Sequence, residues 1–292
     1  MELFKGYCPA IITPFKNNKI NFKKFAELIE MQIENGAKAI VFLGTTGEPA
    51  TMTRSEKISV VKFAVNQVGK RVPVIVGAGS NNTKDVIKNI KAFDKLQVDG
   101  YLIVTPYYNK CTQTGLIEHY SKIAKSTTTP IILYNVPSRT GVNMLPETIK
   151  KLTKFKNIIG VKEASGNAEQ IMELFRLCKD DLTIYSGDDS LTYLFLSLGG
   201  GGVISVLGNL LPALMNEICE SFYMGYIDKS LKLSMLSLPL MKSMFYEVNP
   251  IPIKTAMNMS GFDVGLLRLP LTKMSKENAK KLNNVLKDYD II

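Results

Sequence analysis

Eight short apolar, β-rich runs alternate with polar-periodic helical stretches along 292 residues, and after about residue 210 the strand signals stop. These observations predict an α/β fold, a (β/α)8 TIM barrel with a C-terminal helical extension. Alternating strands and helices call for parallel strands joined by crossover helices, and eight such units close on themselves at a typical length of about 250 residues. The runs are Cys8–Phe15, Ala39–Gly44, Val72–Gly79, Gly100–Tyr107, Pro130–Pro137, Ile158–Ser165, Leu182–Asp189 and Gly201–Gly208. Between them Asn21–Asn35, Arg54–Val68, Thr83–Leu96 and Leu116–Lys125 carry helical periodicity. Leu211–Met224 finishes the barrel, and Asp228–Tyr246, Pro252–Ser260 and Ser275–Leu286 read as further helices, with Pro250 and Pro252 marking one start. The expected division is a barrel over 1–224 and a helical extension over 225–292. An open doubly wound sheet is the rival, weakened because no GxGxxG follows the first run.

Composition narrows the function classes. With 46% hydrophobic and 21% charged residues the chain can bury a large core, and disorder is not expected. Cys8, Cys111, Cys178 and Cys219 lie far apart without CxxC spacing, which suggests free thiols in a reducing compartment. The opening MELFKGYCPAIITPF lacks a basic segment followed by a long apolar run, and no run reaches membrane-spanning length. A cytoplasmic protein with no membrane partner is expected. The net charge of +10 would suit nucleic acid, but the lysines are scattered and only five arginines occur. Phosphate and base readout favour arginine, and no recognition motif is present, so no nucleic-acid partner is expected. A mild positive field would favour small anionic substrates instead.

A barrel of this kind places its chemistry where the strands end. The sixth run ends in Gly160-Val161-Lys162-Glu163-Ala164, a buried-looking strand carrying a lysine. An ammonium taken out of water without a partner carries a large desolvation cost, and the neutral amine this favours is a nucleophile that can form a Schiff base. The commoner reading is a strand-end lysine that reaches back to water. Tyr134 ends the neighbouring run and could pass protons to and from a carbinolamine at Lys162, although a tyrosine so placed is more often a packed aromatic. Thr45 and Thr46 sit in a Gly-flanked turn where hydroxyls and N–H groups could hold a carboxylate, or simply cap a helix. Arg139 could clamp a carboxylate bidentately, or lie on the surface. With a single histidine, His119, and no paired cysteines, a metal site is not expected. Asp188-Asp189 reads as a solvated or helix-capping pair, and Gly199–Gly202 as a tight turn without the GK[ST] of a phosphate loop.

Taken together, Gly44-Thr45-Thr46-Gly47-Glu48, Tyr134-Asn135-Val136-Pro137-Ser138-Arg139-Thr140-Gly141 and Gly160-Val161-Lys162-Glu163-Ala164-Ser165-Gly166-Asn167 resemble the dihydrodipicolinate synthase family. So do Thr105-Pro106-Tyr107-Tyr108-Asn109-Lys110, Ser186-Gly187-Asp188-Asp189 and Gly202-Val203-Ile204-Ser205-Val206, and the similarity continues through Asn249-Pro250-Ile251-Pro252-Ile253-Lys254 and Leu267-Arg268-Leu269-Pro270. The resemblance implies a class I aldolase-type lyase of lysine and diaminopimelate biosynthesis, which condenses pyruvate with L-aspartate 4-semialdehyde through an imine on Lys162. It implies Tyr134 as the acid/base partner, and Thr45 as the link to Tyr108, which in the family enters from a neighbouring subunit. Thr46, the Ile204 backbone and Gly187 would bind substrate, with Arg139 receiving the carboxylate of the aldehyde. No cofactor is implied beyond the Schiff base, and the assembly would be a homotetramer, a dimer of tight dimers.

The sequence departs from the lysine-regulated members of that family. Pro49, Arg54 and Lys57 stand where those members carry a Ser and two His, while Asn81, Asp85 and Tyr107 keep the family pattern. The added positive charges would repel a lysine ammonium, so weak or absent lysine inhibition is expected. N-acetylneuraminate lyase and 2-keto-3-deoxy-sugar-acid aldolases share the lysine and the tyrosine. The second threonine of Thr45-Thr46, Tyr108 and Arg139 favour the synthase. A non-catalytic barrel that senses pyruvate or binds nucleic acid is the rival from another class.

Overall fold

The computed structural model describes residues 2–292. Eight parallel strands form one sheet: β1 (Gly6–Pro9), β2 (Ile40–Phe42), β3 (Val74–Gly77), β4 (Gly100–Val104), β5 (Ile131–Asn135), β6 (Ile158–Glu163), β7 (Thr183–Ser186) and β8 (Gly202–Ser205). Each pairs with its neighbour in sequence from β2 to β8, and β8 pairs with β1. The last seam, between β1 and β2, is narrow. It rests on a parallel bridge between Ala10 and Val41, with Lys38 N donating to Tyr7 O at 2.8 Å and Ile11 N donating to Val41 O at 3.0 Å. The alternation of runs thus closes into the predicted barrel.

Side-chain parity divides the core into two layers, as a strand's period of two requires. Cys8, Val41, Ile75, Leu102, Ile132, Tyr134, Tyr185 and Ile204 fill the barrel interior. Their neighbours Tyr7, Ile40, Val76, Ile103, Leu133, Val161 and Val203 face the helical shell. The shell comprises α1 (Phe22–Glu34), α2 (Arg54–Val68), α3 (Thr83–Asp94), α4 (Gln113–Ala124), a single turn α5 (Pro137–Thr140), α6 (Pro146–Leu152), α7 (Ala168–Cys178), α8 (Thr192–Ser197) and α9 (Pro212–Tyr223). Several starts carry side-chain caps. Asn21, Asn82, Thr112 and Asn167 accept from the first turn, and Thr53 and Glu56 form a reciprocal capping box on α2. The extension adds α10 (Ile227–Ser243), α11 (Ile251–Met259) and α12 (Lys276–Asp288), whose Leu240, Ile253 and Leu282 join the shell core.

The strands are shorter than the apolar runs that predict them. The run Cys8–Phe15 holds a strand only to Pro9, yet Ala10–Phe15 stays buried. Ile11, Ile12 and Phe15 of this connection pack into the shell core, so it is as apolar as a strand. A small antiparallel hairpin, Phe15–Lys16 with Lys19–Ile20, follows the first strand and was not foreseen.

Candidate active site

The register of β5 against β6 sets Tyr134 beside Lys162 and Asn135 beside Glu163. Tyr134 belongs to the interior cluster, so its partner Lys162 is on the inward face, and the next pair looks out. Glu163 accepts from Asn135 Nδ2 at 3.0 Å and from Ser165 N at 2.5 Å, while Asn135 Nδ2 also reaches Asn143 Oδ1 at 2.9 Å. Burial pushes the Glu163 carboxyl up, and the Ser165 and Asn135 donors oppose it. Lys162 is only 5% exposed, and its Nζ lies 4.6 Å from the centre of the Tyr134 ring. Among the described residues it enters no ion pair. The nearby Cys8 thiol is fully buried, and burial raises its pKa far above the ordinary value, so it stays protonated beside the amine.

The second wall is the threonine turn. After β2 the chain makes a 3-10 turn at Thr45–Gly47, passes through Glu48 at φ 57°, and turns again at Pro49–Thr51. Glu48 is buried and pairs with Lys254 Nζ of α11 at 2.8 Å. Lys254 Nζ also donates to Thr13 O and Leu266 O, both at 3.1 Å, and Arg268 N donates to Glu48 Oε2 at 3.1 Å. The helical extension therefore anchors the turn that carries both threonines. Asn249 does so a second way: its Nδ2 donates to Thr46 Oγ1 at 3.0 Å, and its carbonyl accepts from Arg139 Nη2 at 2.9 Å. Sequence reasoning gave Asn249 no role. The Asn-Pro-Ile-Pro stretch was visible, but nothing local to it predicts contact with residue 46.

These elements enclose a cavity of about 580 Å³ lined by Lys162, Tyr134, Thr45, Thr46, Arg139 and Gly187, and also by Asp188, Glu247 and Asn249. Ile204 lies in the interior cluster, completely buried, rather than on the cavity wall. A second cavity of about 420 Å³ shares Thr45, Tyr134, Arg139 and Asn249 with the first, and Pro49, Lys57 and Tyr107 line it. Lys57 is half-buried, which pulls its pKa down. Arg54 and Asp85 are exposed and Asn81 caps no wall of it, its carbonyl instead accepting from Asn109 Nδ2 at 3.0 Å. Tyr108 lines neither cavity. It is 90% exposed at φ 72°, so a single chain does not bring it to Lys162.

Three other sequence readings resolve. His119 is buried, with Nδ1 2.9 Å from Thr83 Oγ1, and burial lowers its pKa to about 4. Asp188 caps a short turn by accepting from Ser190 N at 2.9 Å, as expected. Asp189 corrects the expectation of a solvated pair. It is 2% exposed and accepts from Val206 N at 3.0 Å and Leu207 N at 2.8 Å, tying the end of β7 to the end of β8. Burial raises its pKa and these donors pull it back. Among the described residues no group of three or more His, Cys, Asp or Glu side chains is arranged to hold a metal ion.

A buried amine free of any carboxylate, a phenol beside it, and hydroxyls with a guanidinium at the rim suit covalent capture of a small keto acid. Comparison with known proteins agrees with that chemistry. The model of the Dihydrodipicolinate synthetase family matches residues 3–289. The chain is 49% identical over 290 residues to the 4-hydroxy-tetrahydrodipicolinate synthase of Clostridium novyi (strain NT), covering 99% of this chain and 98% of the relative. The crystal structure of dihydrodipicolinate synthase from Thermotoga maritima superposes with a TM-score of 0.97 at 43% identity over the full length of both chains. The chloride-inhibited dihydrodipicolinate synthase from Acinetobacter baumannii, complexed with pyruvate, superposes with a TM-score of 0.96 at 38% identity, covering 99% of this chain and 100% of that one. With fold, site and full-length similarity in agreement, this chain belongs to the dihydrodipicolinate synthetase family.

Proposed function

We propose that this protein condenses pyruvate with L-aspartate 4-semialdehyde to 4-hydroxy-tetrahydrodipicolinate, with Lys162 as the covalent catalyst. The observation that carries the reading is the environment of that amine, which is buried, without an ion-pair partner, and 4.6 Å from the Tyr134 ring in a cavity rimmed by Thr45, Thr46 and Arg139. The Lys162 amine adds to C2 of pyruvate, and the carbinolamine loses one water to give an imine. Loss of a C3 proton gives the enamine. Its C3 attacks the aldehyde carbon, forming one C–C bond and leaving a hydroxyl. The amino group of the adduct then adds to the imine carbon and displaces Lys162, closing the ring. One water is released for each pair of substrates. Tyr134 moves protons at the carbinolamine, Thr46 binds the pyruvate carboxylate, and Gly187 and Arg139 serve the aldehyde substrate. The Schiff base is the only covalent aid the scheme requires.

The assembly we propose is a homotetramer built from tight dimers in the cytoplasm, in which Tyr108 completes the relay through Thr45 of a neighbouring subunit. Its 90% exposure, away from the cavity of its own chain, supports this placement. Pro49, Arg54, Lys57, Asn81, Asp85 and Tyr107 form a remnant of a regulatory site, and added lysine leaves the rate nearly unchanged; half-maximal inhibition at low lysine concentration would defeat this part. The test of the reaction is steady-state turnover of pyruvate with L-aspartate 4-semialdehyde beside cleavage of N-acetylneuraminate and of 2-keto-3-deoxy-sugar acids. Condensation and no sugar-acid cleavage is expected, and the reverse pattern overturns the assignment.

A further inference from the structure

The four charged side chains on the wall of the larger cavity are Lys162, Arg139, Asp188 and Glu247. In the proposed reaction the amine takes the keto acid and the guanidinium takes a carboxylate, which leaves one charged group of the aldehyde substrate without a partner, its α-ammonium. An ammonium entering a site that already holds the Arg139 guanidinium is favoured by a carboxylate. Asp188 is partly committed, since its Oδ1 accepts from Ser190 N at 2.9 Å and from Ser190 Oγ at 2.8 Å to cap the turn after β7.

Glu247 is held in the same one-sided way, but two residues from Asn249, whose carbonyl accepts from the Arg139 guanidinium that takes the substrate carboxylate, and in an α-amino acid the ammonium lies next to that carboxylate. One oxygen, Oε1, accepts from Ser275 N at 3.0 Å and from Asn278 Nδ2 at 2.9 Å, both at the start of α12. Among the described residues the other oxygen has no hydrogen-bond partner, and no Lys or Arg pairs with the carboxylate. Slight burial raises the Glu247 pKa, but the Asn278 and Ser275 donors outweigh it and hold the group below the ordinary value, so it is an anion at neutral pH. It is thus a carboxylate fixed through one oxygen, with the second free, on the segment that also supplies Asn249 to Thr46 and Arg139.

We propose that Glu247 is a specificity-determining residue that receives the α-ammonium of the amino-acid semialdehyde and selects it over aldehydes that lack one. This rests on the condensation proposed above. It gives a role to an acidic group beside the guanidinium that takes the substrate carboxylate, and it places substrate selection on the helical extension rather than on the barrel.

The experiment compares L-aspartate 4-semialdehyde with succinate semialdehyde, the same four-carbon aldehyde acid without the ammonium, in wild type, Glu247→Gln and Glu247→Asp. Glutamine keeps an oxygen for Ser275 and Asn278 and removes the charge, so α12 stays anchored. For Glu247→Gln the KM for the amino aldehyde is expected to rise about tenfold or more, the worth of one charge-assisted contact. The KM for pyruvate and the inhibition constant of succinate semialdehyde stay within about twofold on the same scale. Glu247→Asp, which keeps the charge, retains part of the preference. Equal weakening of both aldehydes would show a structural role and overturn the inference, as would no change in either. A wild type that forms the pyruvate adduct but condenses neither aldehyde would instead overturn the reaction, and this inference with it.

Discussion

Gly187 stands where any side chain would meet the reacting amine. A Cβ built there would lie 3.1 Å from Lys162 Cε, 2.7 Å from Ala164 Cβ and 3.0 Å from Glu163 O. The two tightest contacts belong to the end of β6 that carries Lys162, so Gly187→Ala is expected to shift that strand end and the nucleophile with it. A misplacement near 1 Å costs on the order of a hundredfold in rate. Single-turnover imine formation should fall by about that factor with the circular dichroism spectrum unchanged, whereas wild-type imine kinetics in this variant would remove the steric argument. Tyr134→Phe keeps the ring beside Nζ and loses the hydroxyl. Its kcat should fall by roughly 10²- to 10⁴-fold, the range for general acid–base groups, and near-full activity would dismiss the phenol from the relay. His119 predicts a pH effect on stability. Its folded pKa, about 4, lies below the ordinary 6.5, so the unfolded chain takes up the proton first on acidification. The stabilisation is complete above pH 6.5 and is lost as pH falls towards 4, at up to about 1.4 kcal/mol per pH unit. Thermal melts across that window should show the decline in wild type and a flatter profile in His119→Phe. Lys162 and Tyr134 were legible as candidates because a doubly covered strand leaves a lysine few places to go, but the strands alone favoured a lysine reaching back to water and a packed tyrosine, and their roles came with the family resemblance. His119 was legible only as a helical residue, because burial on a shell helix depends on which neighbour covers it.

At the level of elements, the threonine turn depends on a buried ion pair that spans the molecule, Glu48 with Lys254 at 2.8 Å and side-chain exposures of 0% and 1%. Phe15 lies against the same group, with Lys254 Nζ 4.5 Å and the Arg268 guanidinium carbon 4.2 Å from its ring centre. Removing one partner of such a pair strands a charge in the core, which costs about 3–5 kcal/mol, whereas removing both charges costs far less. Urea unfolding should place Lys254→Met in that range and show much of the loss recovered in Lys254→Met with Glu48→Gln, whose amide oxygen can still accept from Arg268 N. A double variant as unstable as the single one would deny the ion pair its importance. The eight strands were readable as continuous apolar runs because both faces are buried, and the long helices were readable from periodicity because each buries one face. The two-residue strands of the hairpin and the one-turn helix Pro137–Thr140 were not, since elements that short carry no period. The links from Glu48 to Lys254 and from Thr46 to Asn249 join residues some two hundred positions apart, and no local pattern encodes a partner at that distance.

For the whole molecule, Tyr108 poses the question of assembly. It is a tyrosine 90% exposed in a left-handed backbone conformation, on the wall of neither cavity. Nothing in the local sequence announced this, and its role came only with the family resemblance. If it serves a neighbour's site, Lys162→Ala and Tyr108→Phe should each be nearly inactive alone. Subunit exchange between them should restore activity towards about a quarter of wild type, since a two-fold interface gives each mixed pair one intact site. Mixed protein that stays inactive after proven exchange would remove Tyr108 from the relay. The chain also contains a natural control for its chemistry. Lys162 and Lys254 are both buried, but only Lys254 has a carboxylate partner. Borohydride reduction in the presence of pyruvate, followed by peptide mapping, reads directly which amine captures the keto acid. A stable adduct on Lys162 alone, absent from Lys162→Ala, is the expected result; an adduct on Lys254 or another lysine, or none at all, would contradict it.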